Sequence, residues 1–179
     1  MKNERAASKR LFATVAVLLP LTACTITAEP VPGASPVASR DTASPVPPSE
    51  NGAVTAYKAM WGDLVVAARE SDAAHARLDD HAESGALQLL RHMMRENREQ
   101  GLVVKGTPKF SPVIKKTDSL AVVIQDCADG THWLQHTRDG ALKDHVPGGH
   151  HRVDATVRRH GATWMVASLY IDEVGTCVE

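Results

Sequence analysis

The chain has 179 residues, with 20 Lys and Arg against 21 Asp and Glu and a formal net charge of −1 at pH 7. That near balance excludes the basic face that nucleic acid requires, and it supplies no electrostatic attraction to an anionic membrane. Residues 53–179 alone carry 15 Lys and Arg and 17 Asp and Glu, a net charge of −2, in a stretch long enough for one hydrophobic core.

Lys2, Arg5, Lys9 and Arg10 outweigh Glu4 at the amino terminus, and the uncharged apolar stretch Leu11 to Leu19 follows. This is the order of a secretory signal, and the stretch is far shorter than the roughly 20 residues a helix needs to span a bilayer core. Leu21-Thr22-Ala23-Cys24 closes it. These four residues resemble the bacterial lipoprotein signal, the lipobox, at every position. The resemblance implies that residues 1–23 are a cleaved signal peptide and that Cys24 receives a diacylglyceryl group with palmitate-type chains. The protein would then be a lipoprotein on the extracytoplasmic face of the cell membrane, since two acyl chains anchor stably where one is marginal. An ordinary signal peptide that happens to carry Cys24 near its cleavage site is the other reading. Ser8-Lys9-Arg10-Leu11-Phe12 resembles a twin-arginine export signal whose first Arg is Lys, a departure that favours the general secretion route.

After Cys24 the chain holds six prolines between Thr25 and Gly52 among Ala, Ser, Thr and Val, with no helical or strand period. Such a composition cannot bury a core, so residues 24–52 read as a disordered tether. Its reach is roughly 30 Å as coil and about 85 Å as polyproline II. Residues 53–179 read as a single domain. Its two cysteines, Cys127 and Cys177, are an even pair in a chain read as exported, which predicts a disulfide; two free buried thiols are the alternative.

Within the domain, Val54, Tyr57, Trp61, Leu64, Val65 and Ala68 recur at spacings of three and four and predict a helix over 53–70 with Asn51 as its N-cap. A short helix around His75 to His81 follows. Ala86, Leu87, Leu90 and Met94 draw a second stripe, with Arg91, Arg95 and Arg98 towards its carboxy end and Gly101 as its stop. Beyond Gly101 the period changes to two. Val103 to Ile114, broken by Pro108 and Pro112, then Leu120 to Cys127, Thr131 to Thr137, Arg152 to Arg159 and Thr163 to Ile171 predict strands, punctuated by Asp129-Gly130, Asp139-Gly140 and His160-Gly161 turns. Short turns favour an antiparallel meander, and helices followed by strands give an α+β domain with the helices on one face of a curved sheet of four to five strands.

That element order resembles the nuclear transport factor 2-like superfamily, the cone-shaped fold of ketosteroid isomerase and polyketide cyclase-like proteins. Asp126-Cys127-Ala128-Asp129 with Trp133, Trp164-Met165-Val166 and Glu173-Val174-Gly175-Thr176-Cys177 are similar to uncharacterised Gram-positive lipoproteins of that fold. The resemblance implies a cone interior that serves a ligand, a partner or an acid/base reaction, and it does not choose among them.

Six of the nine histidines (His132, His136, His145, His150, His151 and His160) fall within 29 residues. On one strand face His132 and His136 would stand roughly 13 Å apart, whereas zinc ligands lie about 3.3 Å from one another, and the adjacent His150 and His151 would face opposite ways, so no metal site is predicted. Asp126 continues the Val122, Ile124 face, and Tyr170 and Asp172 are read as continuing the Trp164, Val166 face. Asp126 and Tyr170 are therefore the weak catalytic candidates, set against the reading in which Asp126 and Asp129 frame a strand end beside the disulfide. Tyr57 and Trp61 read as core. No nucleophile elbow, phosphate loop or cofactor motif is present, and a Cys–His nucleophile fails if both domain cysteines are bonded. The sequence thus favours a non-catalytic binding or interaction module, for an unnamed extracytoplasmic protein or small ligand; the alternative is an isomerase- or cyclase-type enzyme with a carboxylate base in the cone.

Overall fold

The computed structural model describes residues 48–146 and 148–177. The expected signal peptide, the acylated Cys24 and the tether as far as residue 47 lie outside the described residues. Helix α1 runs Pro48–Ala68, starting ahead of the predicted Ala53. Proline is tolerated in a first turn because its missing N–H would have no partner there. Packing accounts for the early start: a Cβ on Gly52 would lie 2.7 Å from the Trp164 indole, so the first turns of α1 sit directly on that ring. Asn51 consequently lies inside the helix rather than capping it, and its carbonyl accepts the Thr55 hydroxyl at 2.8 Å. Ala53, Ala56, Tyr57, Met60, Trp61, Leu64, Ala67 and Ala68 form the buried stripe.

A single 3-10 turn, Ala76–Asp79, follows, with the His75 ring nitrogen accepting the Arg77 N–H at 3.2 Å. Helix α2 runs Ser84–Glu99 and buries Ala86, Leu90, Met94 and Asn97. Gly101 ends it with φ +70°, a left-handed conformation that glycine adopts at little cost.

Six strands complete the domain: β1 (Leu102–Gly106), β2 (Val113–Thr117), β3 (Ala121–Asp129), β4 (Trp133–Thr137), β5 (His150–His160) and β6 (Thr163–Val174). They are not one meander. Strands β2-β3-β5-β6 form an antiparallel four-stranded sheet that does not close, and β4 leaves its neighbour β3 to pair with β1 in a separate antiparallel ribbon. The Asp129-Gly130 turn is therefore no hairpin. Gly130 N–H donates instead to Gly149 O at 2.9 Å, and the Lys109 and Asp129 backbones exchange two hydrogen bonds, so the space beside the end of β3 is taken.

Helices α1 and α2 pack on β5 and β6 and reach the β1–β4 ribbon. The inward row of β3 (Val122, Ile124, Asp126, Ala128) meets Val153, Ala155 and Val157 of β5 and Trp164 and Val166 of β6. The domain is α+β, two helices on an antiparallel sheet. A disulfide joins Cys127 on β3 to Cys177 just beyond β6, fastening the chain end across β5. Among the described residues no helix is long and apolar enough to cross a membrane.

Candidate functional site

A carboxylate stands where the strand period of β3 calls for an apolar side chain. Asp126 is 3% exposed; its Oδ2 accepts the Tyr57 hydroxyl from α1 at 3.0 Å, and its Oδ1 accepts the Ser111 N–H at 2.8 Å. Both oxygens are thus satisfied, as a buried charge requires. Burial raises the Asp126 carboxyl above its ordinary value, and the bonds from Ser111 and Tyr57 offset part of that rise. The Tyr57 phenol is pushed up as well, first by burial and then by the Asp126 charge.

The sign of the Asp126 shift sets a pH dependence. Its native pKa lies above the unfolded one, so the stability it contributes is fully present below the ordinary 3.8 and is lost as pH rises through the raised native value. Asp126→Asn keeps one acceptor for Ser111 and turns a donor towards the Tyr57 oxygen. Urea midpoints measured across the acid range are expected to fall with rising pH in the parent relative to this variant. Identical pH profiles would show that Asp126 carries no such shift.

Around this pair the rings close the interior. Trp61 stacks on Phe110 with centroids 4.8 Å apart, Tyr57 meets Trp61 edge-on at 6.3 Å and Phe110 at 6.1 Å, and Trp133 stands edge-on to Trp61 at 6.1 Å. What remains open is an apolar cavity of about 150 Å³ walled chiefly by Trp61, Met93, Phe110, Trp133, Val153 and Ile171. An outer groove of about 540 Å³ between α2, β4 and residues 142–146 shares Met93, Trp133, Gly148 and His151 with it, and adds polar groups such as Asn97, Gln135 and Lys143. The buried indole nitrogens of Trp61 and Trp133 have no hydrogen-bond partner. Trp61 lies near enough to Tyr57 to ease its phenol downward, but without hydrogen-bond geometry. Both nitrogens are sealed within the packing, so the cavity meets the apolar parts of these rings and not their donors.

Asp126 does not line either space, although it sits on the expected face. Tyr170 and Asp172 do not continue the Trp164, Val166 face. A bulge opposite Thr156 and Val157 inserts Ala167 as an extra residue, so Leu169 and Ile171 turn inward and Tyr170 stands 63% exposed on the outer face. Asp129 accepts the Thr131 N–H at 2.9 Å, and bonding from Thr131 lowers its carboxyl. The histidines are dispersed: His136 bonds Leu134 O, His151 donates to Asp172 O at 2.9 Å and His160 meets Glu83 at 3.0 Å. Among the described residues no three His, Cys, Asp or Glu side chains stand close enough to share a metal ion.

One polar cluster escaped the sequence reading. Asp63, 1% exposed, accepts Arg77 Nε at 2.9 Å on one oxygen and meets His81 Nδ1 at 2.7 Å on the other, tying α1 to the segment around the 3-10 turn. Its place on the Met60, Leu64, Ala67 stripe was the available signal.

No protein-family model and no curated protein matches the chain. Solved structures similar to it include Aln2 from a Streptomyces species, at 15% identity and TM-score 0.47, covering 72% of this chain and 93% of that one. The intermembrane space region of the chloroplast protein ARC6 follows at 11% and 0.46, covering 68% and 94%. A chain from Catenulispora acidiphila stands at 14% and 0.41, covering 69% and 90%. At these scores nothing passes from them to this chain, and its fold class rests on the strand order and helix packing described above.

Proposed function

We propose that the protein is a lipid-anchored, extracytoplasmic binding module whose ligand site is the ring-walled cavity between the helices and the sheet. One observation carries the ligand site: the buried carboxylates Asp63 and Asp126 are bonded at both oxygens within the fold, while the rings of Trp61, Phe110 and Trp133 leave an apolar cavity of about 150 Å³ between them. A small apolar ring fits that chemistry, since apolar cavities of about this size accept ligands as small as benzene. Titration with cyclohexanone, followed by proton–nitrogen spectra of the indole groups, is expected to move the Trp61 and Trp133 signals saturably and leave Trp164 in place. Movement of all three together, or of none, would refute the site.

The anchoring rests on Leu21-Thr22-Ala23-Cys24 and the proline-rich segment after it. Cys24→Ala, expressed in the native host, is expected to shift the protein from the membrane fraction to the soluble exported fraction. Equal membrane retention would refute the anchor without touching the ligand site. A second reading, isomerase- or cyclase-type chemistry with Asp126 as base, draws on its raised carboxyl. Against it, a substrate would have to displace Tyr57 or Ser111 to reach either oxygen.

A further inference from the structure

At the end of the domain where α1 and α2 finish, a second concavity of about 450 Å³ is lined by Arg69, Arg98, Lys105 and Arg138, with Glu70 and Asp72 beside them. Four cations against two carboxylates make this wall positive inside a domain whose sequence is net negative. None of the four side chains makes an ion pair or hydrogen bond with a described residue; the same holds for exposed cations elsewhere such as Lys116 and Arg158, and what sets these four apart is that they line one concavity. Of the two acids, Asp72 is partly occupied, accepting the Ala74 N–H at 3.0 Å.

Helix ends account for only part of this gathering. The carbonyl end of a helix draws cations, which explains Arg69 just past α1 and Arg98 in the last turn of α2. Lys105 and Arg138 have no such cause. Lys105 comes from β1 and Arg138 follows β4, and the antiparallel ribbon brings both to the same wall. All four are exposed, so water and salt screen most of their mutual repulsion; what the concavity offers an anion is positive groups from four separate elements on one wall.

We propose that this concavity binds a phosphate-type oxyanion, with the Arg98 and Arg138 guanidinium groups as its principal donors. Guanidinium groups present paired N–H donors that match phosphate oxygens, and Lys105 adds a point charge. Soluble phosphorylated ligands and phospholipid headgroups share this chemistry. The site is separate from the ring-walled cavity and does not depend on it.

The test uses the full chain on neutral phosphatidylcholine nanodiscs, titrated calorimetrically with inorganic tripolyphosphate at low ionic strength. One-to-one saturable binding is expected, weakened about tenfold by the pair Arg98→Gln and Arg138→Gln. A control pair, Lys116→Gln and Arg158→Gln, removes the same charge from exposed positions elsewhere and is expected to weaken binding less than about twofold. Unchanged melting temperatures show that both pairs fold. Repeating the titration on discs containing phosphatidylglycerol separates the sources. Competition in the parent that disappears in the Arg98, Arg138 pair assigns the site to headgroups, and undiminished binding assigns it to soluble ligands. Absence of saturable binding, or equal weakening by the two pairs, overturns the proposal.

Discussion

Gly106→Ala is expected to lower stability by about 4 kcal/mol or more, a large loss for one added methyl group. Gly106 closes β1 with φ +90°, and a Cβ there would lie 1.7 Å from the His132 carbonyl oxygen. That obstacle is backbone, so no side chain can turn aside; the β1–β4 pairing of Gly106 with Trp133 must give way. Gly101→Ala supplies the control. It has a similarly left-handed φ of +70° but nothing within 4 Å, so only the conformational cost of about 1 kcal/mol should appear. Urea unfolding of the two variants measures the difference, and equal losses would show that the contact with His132 relaxes freely. Because Trp133 walls the cavity, the Gly106 variant should also displace its indole resonance.

Removing the disulfide by Cys127→Ala with Cys177→Ala is expected to cost roughly 2–4 kcal/mol. The crosslink spans 50 residues, for which loop-closure entropy alone gives about 4 kcal/mol, reduced by residual structure in the unfolded chain. Much of the loss should fall on the chain end, where Thr176 donates its hydroxyl to Glu173 O at 2.7 Å and accepts the Arg152 N–H at 3.0 Å. Hydrogen exchange is expected to quicken at Arg152 and Gly175 before it does in the centre of β3. Uniform quickening would place the loss in global stability instead.

Much of the architecture was legible because it repeats a local rule. The Tyr57, Trp61, Leu64 stripe and the alternation of β3 and β5 are set by periodicity and fell close to their predicted positions, whereas the segment read as one strand from Val103 to Ile114 divides into β1 and β2 around its two prolines, with β2 running on to Thr117. The partner of β4 was not legible, because pairing with β1 is decided by which edges are free after the domain closes. Nor was the bulge at Ala167, where one inserted residue reverses the phase of everything after it and sends Tyr170 outward. Asp126 could be placed on the inner face, but its partner could not. Tyr57 lies 69 residues away, and a hydroxyl on a helix stripe reads the same whether or not a carboxylate meets it. Phe110 lay hidden between two prolines, in a segment with no period to read.

The bond between Cys127 and Cys177 makes the stretch between them a covalent ring. Leu142 and Val146, on the loop inside that ring, are 43% and 70% exposed, the kind of loop tip where proteases cut first. A chain nicked there keeps both pieces, so it would run at full mass until a reductant parts them. The groove wall on one side of the cut and the β5–β6 floor on the other would stay covalently joined.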